Sequence, residues 1–146
     1  MKREVLFIQK ISEQADTFYS EGERFGKWAK QAFPARDRSQ MKGLENIANS
    51  SLKVSDVLDF IKKQTGKSES GKRWRAKNDQ QQEFGKQLIA FIMGTLKNKR
   101  DLVCSLVASI AGQEAATDFE LQQSYLALIR EFIRQIVAHY ELEAAS

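Results

Sequence analysis

One cysteine, one histidine and one proline are all that the 146 residues contain of these types, and each scarcity removes a class of explanation. A lone Cys104 cannot close a disulfide within the chain, which fits a reducing compartment. Set among Leu102, Val103 and Leu106, with no histidine near it, Cys104 reads as a small buried apolar residue rather than a nucleophile. His139 lies beside Tyr140 near the end of the last expected helix, where a partly exposed or C-terminal capping role suits it better than catalysis. A single histidine and a single cysteine do not make a metal cluster. Asp56 and Asp59 fall close together, but a helix N-terminus accounts for acidic groups there without any chemistry. Neither GxxxxGK[ST] nor GxGxxG occurs, so no phosphate loop is indicated. The expectation is a protein that is not an enzyme, with no metal and no cofactor.

Long apolar runs are missing too. The longest uncharged stretch, 102–113, contains Ser, Gly and Gln and is too short to cross a bilayer. With no signal-like beginning, the chain is expected in the cytoplasm, away from membranes. Strict period-two alternation is absent as well, which argues against sheet.

Charge is present in quantity and unevenly placed. Residues 1–61 carry ten Lys/Arg and nine Asp/Glu, residues 62–100 carry eleven and three, and residues 101–146 carry two and seven. A net +8 block in the middle can draw a polyanion by long-range potential and counterion release, or it can be a solvated lysine-rich face.

Apolar spacing predicts helices throughout. A seam at 8, 11, 15, 18, 22, 25 and 29, stepping by three and four, predicts one long first helix that Phe33 and Pro34 end. Gly22 and Gly26 lie on one face of it and predict close approach of another backbone or a local bend. Ser39 is a candidate cap for a helix burying Met41, Leu44, Ile47 and Ala48. Ser55 is the candidate cap of the next, with Val54, Val57, Leu58, Phe60 and Ile61 inward and Gly66 able to take a left-handed terminal conformation. Phe84, Leu88, Ile89, Phe91, Ile92 and Leu96 make a further apolar face, in which Gly85 and Gly94 suggest close packing. The charged run 97–101 reads as a turn before a short helix over Leu102, Val103, Leu106, Val107 and Ile110, ended by Gly112. Thr117 or Asp118 caps a last helix that keeps its period from Leu121 to Tyr140, roughly six turns. The fold class is therefore all-α, a single-domain bundle of five or six helices over 1–146, with long first and last helices.

The stretch from Arg36 to Lys77 concentrates the functional candidates. The segment 67–78, KSESGKRWRAKN, has glycine, serine and charge without periodicity and is expected to be a flexible basic loop. Trp74 stands among Lys72, Arg73, Arg75 and Lys77, so it either stacks on a base while its neighbours meet phosphates or folds back to anchor the loop. Arg36, Arg38, Lys42, Lys62, Lys63 and Lys67 extend the basic set into a possible sequence-independent phosphate track. The two short helices before the loop form a helix-turn-helix-like pair, although the second lacks a row of base-reading side chains.

The run Ser39-Gln40-Met41-Lys42-Gly43-Leu44, leading into Val57-Leu58-Asp59-Phe60-Ile61-Lys62 with a basic loop and more helices after it, resembles the small all-helical subunit of type III CRISPR effector complexes. The resemblance covers about the middle half of the chain. It implies a part in antiviral defence without catalysis, several copies packed along a larger ribonucleoprotein, and basic side chains on the backbone of bound RNA. Two functions follow from the residues themselves. One is an RNA-binding structural subunit. The other is a helical protein-interaction or oligomerisation module, in which the basic middle of one chain faces the acidic C-terminal third of another or of a partner.

Overall fold

Apolar side chains occupy most of the circumference of the last helix, and such a helix has to be largely covered. In the computed structural model, which describes residues 2–112 and 114–145, it is covered except for a stripe through Gln123, Arg134 and Ala138. The chain forms α1 (Arg3–Thr17), α2 (Tyr19–Ala32), α3 (Arg38–Ser50), α4 (Val54–Gly66), α5 (Phe84–Phe91), α6 (Lys97–Ile110) and α7 (Asp118–Ala145). Short 3-10 turns at Ala35–Asp37 and Ser70–Arg75 and a π-helical turn at Ile92–Leu96 complete it. The architecture is all-α, with seven helices among the described residues where five or six are expected from the sequence. Helices α1, α2, α3, α4 and α6 and the π turn all pack on α7, whose Leu126, Leu128, Ile129, Phe132, Ile133, Ile136 and Tyr140 are buried.

Polar side chains of α7 then tie the ends of its neighbours. Gln135 Nε2 donates to the Ala15 carbonyl in the last turns of α1 (3.0 Å), and Tyr140 Oη to that of Phe33 at the end of α2 (2.8 Å). Arg130 donates to Ala48 and Ser51 at the end of α3 (2.8 and 2.7 Å), and Tyr125 Oη to Ile92 where the π turn begins (2.7 Å). These carbonyls belong to helix ends or an irregular turn; those of Ala48, Ser51 and Phe33 lie past the regular hydrogen-bond ladder, whereas those of Ala15 and Ile92 also accept from the Phe18 and Lys97 backbone N–H groups.

Helices α2 and α7 approach each other closely. A Cβ added at Gly26 would lie 2.5 Å from the His139 Cβ and 2.8 Å from the Ile136 carbonyl, and one at Gly22 would lie 2.5 Å from the Gln135 Cβ. The glycine pair is thus a packing site. His139 is consequently buried under α2, edge-on to Tyr19 and with Nε2 3.7 Å from Glu23, rather than partly exposed.

Several expectations are corrected. The first helix is two helices, because the chain bends at Phe18 (φ −113°, ψ 15°). The bend buries Phe18 against Phe91 and Phe132 and lets α1 turn onto α6 while α2 follows α7. The run 97–101 is helical, since it continues from the π turn without a break. Ser39 and Ser55 lie inside α3 and α4, whose first turns carry no side-chain cap. Gly66 ends α4 without a left-handed φ, and Gly94 meets nothing within 4 Å, whereas Gly85 abuts Thr65. Gly112 (φ +92°) does end α6, and Thr117 does cap α7 through reciprocal bonds with Glu120 of 3.0 and 3.1 Å.

Gly26→Ala should lower stability by about 1–3 kcal/mol, because the added methyl has to displace α7. Gly94→Ala should leave stability unchanged or raise it by up to about 1 kcal/mol. Urea unfolding at constant m-value measures both.

Candidate polyanion-binding surface

The two charged stretches that the sequence separates by some thirty residues meet in space. Arg73 Nε lies 3.1 Å from Asp37 Oδ2, and Trp74 Nε1 donates to Gln40 Oε1 at 3.0 Å, so the Ser70–Arg75 turn is docked against the connection from Ala35 into α3. Apolar burial drives this docking. Trp74 is 0% exposed, with Phe33, Phe60 and Phe84 ring centroids 5.1, 6.1 and 6.0 Å away. Of its two readings the anchor therefore holds, and the base-stacking platform is withdrawn because the ring has no open face. The segment 67–78 is organised around that anchor as a 3-10 turn, closed by an antiparallel bridge between Lys77 and Glu83.

Arg75 has a structural task as well. Its guanidinium donates to the carbonyls of Thr65 (2.8 Å), Lys67 (2.5 Å) and Ser68 (2.7 Å), where α4 ends and its carbonyls lack helical partners. Gly71 makes room for this: a Cβ there would lie 2.5 Å from Arg75 Nη1 and 2.8 Å from the Gln64 carbonyl. Arg75 is thus a clamp, and it leaves the set of cations open to a ligand.

The remaining candidates divide by their partners. Arg36 and Arg73 face Asp37, Arg38 faces Glu141 at 3.3 Å, Lys42 faces Glu45 at 3.8 Å, and Lys72 faces Glu69 at 3.1 Å. Exposed pairs of this kind are worth only about 0–1 kcal/mol, so an incoming phosphate can compete for the cation. Among the described residues Lys62, Lys63, Lys67 and Lys77 are exposed and have no carboxylate partner. Lys62 lines a cleft of about 410 Å³ between the end of α4 and α5, with Arg75, Glu83 and Lys86. Lys86 belongs to the same basic block and could have been included on charge alone.

Chemistry elsewhere is sparse. Burial pushes the Cys104 thiol up, against a smaller opposing effect of the Ser124 hydroxyl 3.5 Å away, which keeps it a poor nucleophile. Burial likewise raises the Tyr125 and Tyr140 phenols. Among the described residues no group of three or more His, Cys, Asp or Glu is placed to hold a metal ion, and no helix is long and apolar enough to cross a membrane. No protein-family model, curated protein or solved structure matches the chain.

Replacing Arg75 by Ala should cost roughly 2 kcal/mol by freeing the end of α4. Hydrogen exchange should then rise at 64–75 while the amides of α7 keep their protection.

Proposed function

We propose that this chain is a non-catalytic helical subunit that binds the backbone of RNA through a central basic surface within a larger complex, as its resemblance to the small subunit of type III CRISPR effector complexes implies. The observation that supports this is the group of exposed lysines Lys62, Lys63, Lys67 and Lys77, which have no carboxylate partner among the described residues. Cations held apart from carboxylates keep their full attraction for phosphates, and Arg36, Arg38, Lys42, Lys72 and Arg73 can exchange weak surface pairs for stronger ones. Filter binding to single-stranded RNA across a salt series tests it. The logarithm of affinity should fall with that of salt by about 0.7 for each phosphate contacted. The double variant Lys62→Glu, Lys63→Glu should weaken binding by about tenfold or more. No binding at low salt, or binding indifferent to that charge reversal, would remove the proposal.

A second reading, self-association, is favoured by a different surface. An apolar groove of about 460 Å³ between α1 and the start of α7 is lined by Phe7, Ile8, Ile11 and Phe119, with Ile8 65% and Phe119 72% exposed. Glu4 and Glu120 stand at it, Glu120 bonded to Arg3 at 2.8 Å, which holds its carboxyl below the usual range. The corner between α3 and α4 offers an apolar side chain with a cation beside it: Leu52 is 83% exposed next to Lys53, on a corner that Arg130 holds in place. Sedimentation separates the readings. A salt-sensitive oligomer that Leu52→Asp abolishes, in a protein with no affinity for RNA, supports the second, and a monomer at all concentrations eliminates it.

A further inference from the structure

Two clefts border α2. One, of about 380 Å³, lies between Gln31, Gln40, Lys72 and Arg73, and the other, of about 330 Å³, between Arg24, Lys27, Trp28 and the 78–80 turn. Gln31 lines both, so the two adjoin at that side chain as one interrupted groove. Arg24, Lys27 and Gln31 follow one another at steps of three and four and stripe a single exposed face of α2.

Two features of the groove are unexplained by packing alone. Trp28 is buried, and its indole N–H has no acceptor, although a buried donor ordinarily finds one. Next in the chain to the lining residues Asn78, Asp79 and Gln80, Gln81 holds φ +62°, a left-handed conformation that a non-glycine residue adopts at some cost. The turn is held there by Asn78 Oδ1, which accepts from the backbone N–H groups of Gln80 and Gln82 at 3.0 Å each.

We infer that this groove takes a single strand of nucleic acid, with its sugar-phosphate backbone along Lys27 and Lys72 and its bases toward the amides of Gln31, Gln40 and Gln80. The inference rests on the RNA-binding reading and adds α2 to it. The groove's form favours an extended ligand over a compact one, because it is two adjoining open clefts rather than one enclosed cavity. Its charges set the orientation. Asp37 and Glu69 already face Arg73 and Lys72, while Asp79 has no cation partner among the described residues and would repel phosphate from the 78–80 wall. Lys27, also without an ion pair among them, attracts it to the α2 wall. Side-chain amides can bond the edges of unpaired bases, which a duplex does not offer.

Fluorescence anisotropy of a labelled short oligouridylate tests this on the full chain. Lys27→Glu and Gln31→Glu should each weaken binding by about tenfold, whereas Lys10→Glu, which changes the net charge as Lys27→Glu does but lies on α1 outside the groove, should change it less than about threefold. A duplex of the same length should bind about tenfold more weakly than the single strand. Circular dichroism melting confirms that the variants remain folded, Lys27 and Gln31 being exposed and Lys10 half-buried beside Glu13. If Lys27→Glu and Gln31→Glu bind as the parent does while Lys62→Glu, Lys63→Glu does not, the groove inference is wrong and the RNA reading stands. If the parent chain binds no oligonucleotide at low salt, both are wrong.

Discussion

The bonds that α7 sends to the ends of other helices are the constraint on which the rest of the bundle depends. Arg130 and Tyr140 reach carbonyls past the last helical bonds of α3 and α2, while Gln135 and Tyr125 add a second bond to the Ala15 and Ile92 carbonyls, which also accept from the backbone N–H groups of Phe18 and Lys97. Burying a helix end without such a partner costs more than the bond itself returns, so the four contacts choose where α1, α2, α3 and the π turn can stop. Apolar burial brings those helices to α7. The polar contacts, together with the glycines of α2, decide at what height and how closely they sit.

This division of labour extends to the charged middle of the chain. Trp74 and Arg75 stand side by side among exposed basic residues, one the apolar anchor of its turn and the other the clamp on α4. Their contacts hold the backbone from which the neighbouring cations face outward. Lys72 and Arg73 border one cleft and Lys62 with Lys86 another. Ordered presentation matters for binding, because a cation already in place loses less freedom when it meets a phosphate.

Much of the fold is legible in the sequence, and the failures have physical reasons. Helical class, the burial of Cys104, the approach at Gly22 and Gly26, and the ends at Gly112 and Thr117 follow from periodicity and capping rules that act over a few residues. The bend at Phe18 has no proline or glycine to announce it, and arises because Phe18 is drawn between Phe91 and Phe132 from distant parts of the chain. The π turn shifts the helical phase between α5 and α6, so apolar positions fall out of step and the charged run after it resembles a loop. Within the candidate surface, charge alone locates the basic block. It does not tell Arg75 from Lys77, or show that α2 forms a wall of the groove, since both depend on contacts between segments far apart in the chain.

The placement of α7 also bears on how the molecule comes into being. Its partners lie mostly ahead of it: Gln135 meets Ala15, and Tyr140 meets Phe33, across separations of 120 and 107 residues. During synthesis the earlier helices emerge before the one they all rest upon, with their apolar faces uncovered and their terminal carbonyls bonded only to water. Local helix formation is quick, but the core closes only after α7 itself has left the ribosome. Between those two moments the nascent chain is a set of half-built helices exposed to chaperones and to other chains, and arrival of the final helix turns it into a folded protein.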